Sequence, residues 1–481
     1  MNLTRLTGAP LLAACLLFSP AAHAQTPPQT RTEEYAALEN RTGQLVREGE
    51  RFTAAQAAEA ERSLVQTPDD LDRRGRLLGF YFSPASQSLG VAARVEARRR
   101  HILWLVNHQP DSMLLVTPQA TIDAGGQPLG DAEGYRQVRA AWLEQTAKSD
   151  ANVNVVAGAA RFFYLPDKAL AVQLYGRARR LDPDNEMWVG MQGSAMAFAI
   201  AGIEGMNQNG LPGPANAAEA ESAFAVSARR ELETSKDAAL VFAAAGDLMA
   251  RGVVAQSISR QSGKPPAVDA LQLSETLLKR VEELEPGKPQ AGLELARLYE
   301  LRGMRATEPA EKAAMAKARY EQLAKAAAAA PADAPVDSMQ LTVLGAAALD
   351  VGELQVAQRA GRQALDQVPN LKADPKQSWS VDMVVHHAYL ILGRVALRQG
   401  DMAAAEADLL NAGRVGGGGT LSSFGPNMTL AKELLEKGES ATVLEYFELC
   451  RKFWMFSDRM QPWIDAIHKG QIPEFGANLS Y

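Results

Sequence analysis

The sequence predicts an all-α protein built from repeated helix pairs, and three observations carry that expectation. Ala, Leu, Glu, Arg and Gln dominate the 481 residues, and these are side chains that lose little on entering a helix. Alternating runs of Val, Ile and Thr are nearly absent; "SMLLVTP" near Ser112 is the one short candidate for extended structure, and it could equally begin or end a helix. A spacing of small residues and turn glycines also recurs along the chain, which marks a repeat architecture.

The first 24 residues stand apart from the fold. Arg5 precedes an apolar stretch from Ala9 to Phe18, and Ala22-His23-Ala24 gives the small-x-small pattern cut by a signal peptidase. The stretch is short of the ~20 residues that span a bilayer. Cleavage after Ala24, export to the periplasm or beyond, and a mature start at Gln25 are therefore expected. Leu12-Ala13-Ala14-Cys15 offers a second reading, a lipoprotein anchored at Cys15, although the apolar run continues past that cysteine. No other long apolar run is evident, so no transmembrane segment is expected in the mature chain.

Charge and cysteine content narrow the function classes. The 50 basic and 56 acidic residues give a formal charge of −6, a mild acidic excess that argues against a nucleic-acid partner. Cys450 is the only cysteine after the leader, so no intrachain disulfide can form and stability must come from buried apolar surface.

The repeat is clearest in "MQLTVLGAAALDVGELQVAQRAGRQALDQVP", where Leu344-Gly345 is followed by Ala348, Gly352, Ala357, Gly361, Ala364 and Pro369. In "HAYLILGRVALRQGDMAAAEADLLNAG" the residues Leu392-Gly393, Ala396, Gly400, Ala405, Leu409 and Ala412 fall at the same offsets. A third unit keeps the register through Ala159, Phe162, Ala171, Tyr175, Ala178 and Pro183. Segments beginning at Leu293 and near Gly263 stretch the pattern with polar insertions. Earlier helix pairs close near Pro68 and Pro110 with little consensus.

This spacing resembles the tetratricopeptide repeat. The resemblance implies an α-solenoid of helix-turn-helix repeats, since antiparallel helices approach closely only where small side chains face each other. The expected organisation is a signal peptide over 1–24, a flexible start over 25–31, and divergent helical repeats over 32–148. Tetratricopeptide-like repeats with an insertion follow over 149–290 and further repeats over 291–420, best formed at 338–369 and 386–413. A last repeat and helical cap over 421–481 complete the chain, with the aromatics of "FWMFSDRMQPWIDAIHKGQIPEF" closing the terminal layer.

The stretch "GRVGGGGTLSSFGPNMTLAKELL" tests whether the chain holds a phosphate loop. A nucleotide loop needs a preceding strand, spaced glycines and a lysine entering the helix, and none is present. The glycines are expected to be a flexible linker, with Asn427 as an N-cap and Thr442 with Glu445 as a capping box in the repeat that follows. Cys450 takes the slot that normally holds alanine, so it is expected to be a buried filler.

No catalytic, cofactor or metal residues are expected. His101 and His108 would lie ~10 Å apart along a helix, and the adjacent His386 and His387 ~100° apart around one, so neither pair can share an ion. Glu33-Glu34 and Asp69-Asp70 sit at helix starts, where they favour the macrodipole.

Two surfaces could bind partners. Arg73, Arg74 and Arg76 on one helix and Arg94, Arg98, Arg99 and Arg100 on its partner could dock an acidic protein or membrane phosphates. In tetratricopeptide arrays the concave face is lined by first-helix positions, which the resemblance projects onto Val156, Ala160 and Phe163, then Thr342, Ala346 and Leu349, then His387, Leu390, Arg394 and Leu397. The groove so implied is rather apolar and lacks the Lys/Asn set that clamps a peptide carboxylate.

The function implied is a non-catalytic protein-binding scaffold in the envelope, similar to exported bacterial repeat proteins, with a protein or peptide in the groove. A periplasmic or cell-wall hydrolase would instead need His101, Arg99 and an acid to converge in the N-terminal third. A lipid-anchored assembly factor would begin at Cys15.

Overall fold

Helix-forming sequence becomes helix almost throughout. The computed structural model describes residues 29–125, 129–202, 217–263, 266, 268–330 and 336–479. The signal peptide, the lipoprotein box at Cys15 and the expected flexible residues 25–28 lie outside these, whereas 29–31 already belong to the first helix. Among the described residues there are helices and turns and no strand. "SMLLVTP" forms a short 3-10 turn, Met113–Val116.

The chain divides into two compact units, one ending at Leu284 and one beginning at Glu285. The first holds α1 (Gln29–Glu50), α2 (Ala54–Gln66), α3 (Leu71–Phe82), α4 (Val91–His108), α5 (Ala132–Ala147) and α6 (Val153–Phe163). It continues with α7 (Lys168–Leu181), α8 (Met187–Ile200), α9 (Ala217–Ala220), α10 (Ala223–Thr234), α11 (Ala238–Ser262) and α12 (Ala270–Leu284). The second holds α13 (Gln290–Gly303), α14 (Pro309–Ala328), α15 (Ser338–Asp350), α16 (Leu354–Asp366), α17 (Val368–Ala373) and α18 (Val381–Gln399). After these come α19 (Met402–Gly413), α20 (Gly418–Phe424), α21 (Thr429–Leu435), α22 (Ser440–Cys450) and α23 (Gln461–His468).

In the second unit the repeat turns are copies of one another. The backbone N–H groups of Glu353, Asp401 and Glu439 donate to the carbonyls of Ala348, Ala396 and Leu434 at 2.8, 2.9 and 3.1 Å. The preceding Gly352, Gly400 and Gly438 have φ of 82°, 85° and 95°. Each is a left-handed helix stop that satisfies a terminal carbonyl and reverses the chain within three residues. The hairpins α15–α16 and α18–α19 then stack, α16 and α15 both against α18. A Cβ on Gly345 would sit 3.0 Å from Ile391 Cδ1, and one on Gly361 3.1 Å from Leu392 Cδ2. The repeat glycines are thus the points where neighbouring hairpins touch.

The first unit is more irregular at its start. A core of Leu105, Val106, Trp142, Val156, Phe163 and Tyr175 runs under α4 to α7, and a smaller cluster of Ala57, Ala60, Leu64, Leu77 and Phe80 holds α2 to α3. The α8–α11 contact is made by Gly193, where a Cβ would lie 2.7 Å from Ala244 N. Residues Ala238–Gln256 of α11 have a mean hydropathy of 1.6 and are long and apolar enough to cross a membrane by length and composition. The sequence reading missed this run. Val241, Ala244, Ala245 and Leu248 are buried, and α11 packs on α8 and α12, which is the setting of a core helix.

The glycine-rich stretch differs from the expected flexible linker. Gly418–Phe424 winds into α20, and the corner after it is pinned from several sides. Asn478 Nδ2 donates to Pro426 O at 2.9 Å, Tyr446 Oη donates to Asn427 O at 2.9 Å, and Met455 N donates to Ser422 O at 3.0 Å. Asn427 does not cap a helix as expected at the N-cap position, which is Met428, but its Oδ1 accepts from Thr429 N at 2.8 Å. The Thr442–Glu445 capping box does not form, because α22 begins at Ser440 with Glu439 at its N-cap, which places Thr442 inside the helix. Cys450 is fully buried, and burial pushes its thiol well above the usual range. Beneath it, Phe447, Trp454, Trp463 and Phe475 interlock with ring centroids 5.0 to 6.3 Å apart, forming the aromatic cap.

Gly425 turns the chain at φ 92°, and a Cβ there would lie 2.7 Å from Trp454 Nε1. Gly425→Ala adds both backbone strain and a clash, so it should lower unfolding stability by about 2 kcal/mol or more. Urea denaturation followed through tryptophan fluorescence checks this, and an unchanged midpoint would show that the corner is not held as described.

Candidate functional site

The projected groove residues are largely the stacking interface itself. Val156, Ala160 and Phe163 are fully buried, and Thr342, Leu349 and Leu390 nearly so; Ala346, His387, Arg394 and Leu397 are half-buried. Phe163 packs edge-on to Phe162 at 5.0 Å with the Arg139 guanidinium 5.8 Å from its ring. The expected apolar groove along these positions is therefore corrected in part: neighbouring helices cover Val156, Ala160, Phe163, Thr342, Leu349 and Leu390, while Ala346, His387, Arg394 and Leu397 keep partial exposure.

The arginine hairpin is also spent internally. Arg73 pairs with Asp70, Arg76 with Glu48, Arg99 with Asp131 and Arg100 with Glu61, at 2.5 to 2.9 Å. Arg94 donates to the carbonyls of Tyr81, Phe82 and Ser83, all at 3.1 Å, and so caps the C-terminus of α3. Arg98 donates to Gln119 O at 3.1 Å and Thr121 O at 2.5 Å. Arg74 donates to Pro68 O at 2.7 Å and lies 3.5 Å over the Trp104 ring. Burial pulls Arg74 and Arg98 down to about 10, which leaves both charged at neutral pH. Of the anionic-partner patch expected from these seven residues, Arg74, Arg94 and Arg98 are buried structural donors, whereas the Arg73 and Arg100 side chains stay 39% and 56% exposed beside their acid partners.

His101 does meet an acid, but that acid is Glu61 rather than a partner shared with Arg99. Glu61 Oε1 accepts from Tyr81 Oη at 2.7 Å, Arg100 Nη2 at 2.6 Å and His101 Nε2 at 3.0 Å. Arg74 Nη1 lies 3.2 Å from His101 Nδ1. A guanidinium can only donate, so Nδ1 is the acceptor and the ring proton resides on Nε2. Burial lowers the His101 pKa, with the Arg100 and Arg74 charges adding to that effect. Both ring nitrogens are engaged and the ring is almost wholly buried, an arrangement that fixes α2 to α4 and leaves neither nitrogen open to a substrate.

His386 has a parallel role in the second unit. Its Nδ1–H donates to Ala412 O at 2.8 Å, and its Nε2 accepts from Asn427 N at 3.1 Å. Burial holds it at about 3, with His387 nearby lowering it further, and burial holds His387 at about 4. Among the described residues no group of three or more His, Cys, Asp or Glu side chains is placed to hold a metal ion.

Two polar arrangements on first-helix faces escaped the sequence reading. In the second unit Arg319 bridges Glu300 at 2.9 Å and Asp350 at 3.6 Å. Arg394 and Arg398 both reach Glu433 Oε1, at 2.8 and 3.5 Å. Burial raises the Asp350 carboxyl even though Arg394, Arg319 and Arg398 oppose it, so these charges form one electrostatic neighbourhood spanning α13, α14, α15, α18 and α21. In the first unit Ser194 Oγ lies 2.5 Å from Tyr164 Oη and donates to Asp247 Oδ2 at 3.1 Å. Arg251 reaches the same carboxylate oxygen at 2.6 Å. The Asp247–Arg251 spacing of four residues on a helix was a readable signal; the partners on other helices were not.

His101, His386 and His387 together dictate a pH dependence. Each is neutral when folded and titrates near the ordinary histidine value of 6.5 when exposed. The unfolded chain therefore takes up protons that the folded chain refuses as pH falls below 6.5, and stability declines through that window. Each group contributes up to about 1.4 kcal/mol per pH unit. Urea midpoints measured from pH 7.5 to 4 should fall steadily, and His386→Gln should flatten the slope while lowering stability at pH 7.5. An unaltered slope in that variant would mean His386 is not held neutral.

No protein-family model and no curated protein matches the chain. Among solved structures, the human IFIT1 dimer with PPP-AAAA is similar at a TM-score of 0.32 and 13% identity, covering 90% of this chain and 92% of that one. The human IFIT1 dimer with m7Gppp-AAAA is similar at a TM-score of 0.30 and 12% identity, over 91% and 93%. Likeness at this level carries no argument about what this chain binds. What stands is an all-α fold with repeated helix pairs.

Proposed function

We propose that this chain is a non-catalytic binding scaffold of the cell envelope, which receives a basic protein or peptide segment on the face of α13, α15, α18 and α21. The observation that carries this reading is how that face is charged. The arginine side chains of Arg319 and Arg394 are each only 15% exposed, whereas the Asp350 and Glu300 carboxylates are 43% and 38% exposed. The Arg319 guanidinium lies underneath and holds both acids, as Arg394 holds Glu433 beside them, so the face offers pre-set acceptors to lysine or arginine side chains. Export rests on the leader sequence over residues 1–24, with anchoring at Cys15 as the alternative. An enzyme reading finds less support, since His101 has both nitrogens occupied.

Capture from envelope extract tests the proposal. Wild type should retain a partner that elutes as salt is raised from 50 to 500 mM (chosen to span about a threefold change in screening length). The double variant Glu300→Gln/Asp350→Asn should lose it, and Glu59→Gln, an exposed carboxylate on α2, should not. Equal capture by the double variant would remove the basis for this face. Fractionation of the full chain should place it outside the cytoplasm; retention inside would remove the envelope assignment.

A further inference from the structure

The Tyr164–Ser194–Asp247–Arg251 cluster in the first unit is built with more care than packing requires. Gly193 lets α8 and α11 approach until a Cβ would meet Ala244 N at 2.7 Å, which brings the next residue, Ser194, within reach of Asp247. Phe198, one turn further along α8 and fully buried, forms the floor. The Arg251 guanidinium lies 3.3 Å over the Phe198 ring, and Tyr164 meets the same ring edge-on at 5.1 Å.

The hydrogen-bond valences can be followed atom by atom. Asp247 Oδ2 accepts from Ser194 Oγ at 3.1 Å and from Arg251 Nε at 2.7 Å and Nη2 at 2.6 Å. Ser194 spends its proton on Asp247, so in the 2.5 Å contact it accepts from Tyr164 Oη. Every hydroxyl proton of the cluster is then directed inward. Among the described residues, what remains unsatisfied is acceptor capacity: Asp247 Oδ1 and the oxygen of Tyr164. The Asp247 side chain is 24% exposed, so that capacity reaches the surface. Gly190, one turn before Ser194 on the same helix face, leaves the approach clear, because among the described residues no atom lies within 4 Å of a Cβ placed there.

We infer that this cluster is a binding subsite for a primary ammonium group, with Asp247 Oδ1 and Tyr164 Oη accepting from it and Arg251 holding the carboxylate in place. An ammonium brings three donors and no acceptor, which matches a cluster with two remaining acceptors and no outward donor among the hydroxyls. Burial raises the Asp247 carboxyl despite the Arg251 charge beside it, so a second cation is favoured there. The ammonium could come from a lysine side chain or from a peptide amino terminus. This subsite lies in the first unit and stands independently of the face proposed in the second.

Methionine-methyl NMR on the full chain tests it, because Met191 lies on α8 three residues before Ser194. Three blocked tripeptides serve as probes: acetyl-Gly-Lys-Gly-amide carries a lysine ammonium, Gly-Gly-Gly-amide an amino-terminal one, and acetyl-Gly-Gly-Gly-amide neither. At least one ammonium peptide should shift Met191 saturably while the blank does not, and which one does so identifies the source. Asp247→Asn should weaken that binding by about tenfold or more, as expected for losing a charged acceptor, and Ser194→Ala by about threefold. Should Asp247→Asn lose methyl dispersion at the buried Met196 and Met249 of the first unit, Ser194→Ala, which keeps the Asp247–Arg251 pair, decides alone. Ammonium peptides that behave like the blank, or a variant that binds as wild type does, would overturn the assignment.

Discussion

Close approach between helices through residues without bulky side chains is the constraint on which the rest of this structure depends. At Gly345, Gly361 and Gly193 an added Cβ would press on a neighbouring helix at 3.0, 3.1 and 2.7 Å. Helices packed that closely bury their flanking Ala and Leu residues fully, and here Ala348, Ala357, Ala388 and Ala405 are each at 0% exposure. The left-handed turns at Gly352, Gly400 and Gly438 serve the same end, since they return the chain quickly enough for the next helix to lie against the last. Among the described residues the one cysteine, Cys450, is free and buried, so this packing has no covalent substitute there.

The same constraint explains why the fold was legible in the sequence and the proposed binding face was not. Small residues and turn glycines recur at fixed offsets because each repeat solves one steric problem, so helix pairs could be read from Leu344 to Ala412 directly. Binding positions have no such repetition. Projecting them by register selected Val156, Ala160 and Phe163, which turn out to be buried in the core that α4 to α7 share. The polar groups that do lie on first-helix faces, Asp350 with Arg319 or Ser194 with Asp247, come from helices distant in sequence. Their pairing depends on how hairpins stack, which no single segment encodes.

Arginine was misread for a related reason. A run of seven in one hairpin suggests a charged surface when residues are counted as charges. Inside the fold Arg74, Arg94 and Arg98 act as multiple donors to backbone carbonyls. The first unit needs such donors because its early turns lack the glycine stop of the later repeats, leaving carbonyls at helix ends without intrahelical partners. Arg94 closing the end of α3 does with a side chain what Gly400 does with backbone geometry. Divergence from the repeat consensus and enrichment in buried arginine are therefore two aspects of one structural need.

The glycine-rich segment completes this logic from the opposite direction. Four consecutive glycines would be a flexible tether if nothing held them, and local contacts such as Asn427 Oδ1 with Thr429 N do not by themselves fix the corner. The residues that fix the corner come from α18, α22 and the C-terminal turn: His386, Tyr446 and Asn478. His386 can do this only as a neutral ring, because one nitrogen must donate to Ala412 and the other accept from Asn427. Order in the last repeat thus depends on the protonation state of a side chain 41 residues away in sequence. Flexibility read from composition is a statement about local chain entropy, and here long-range hydrogen bonds overrule it.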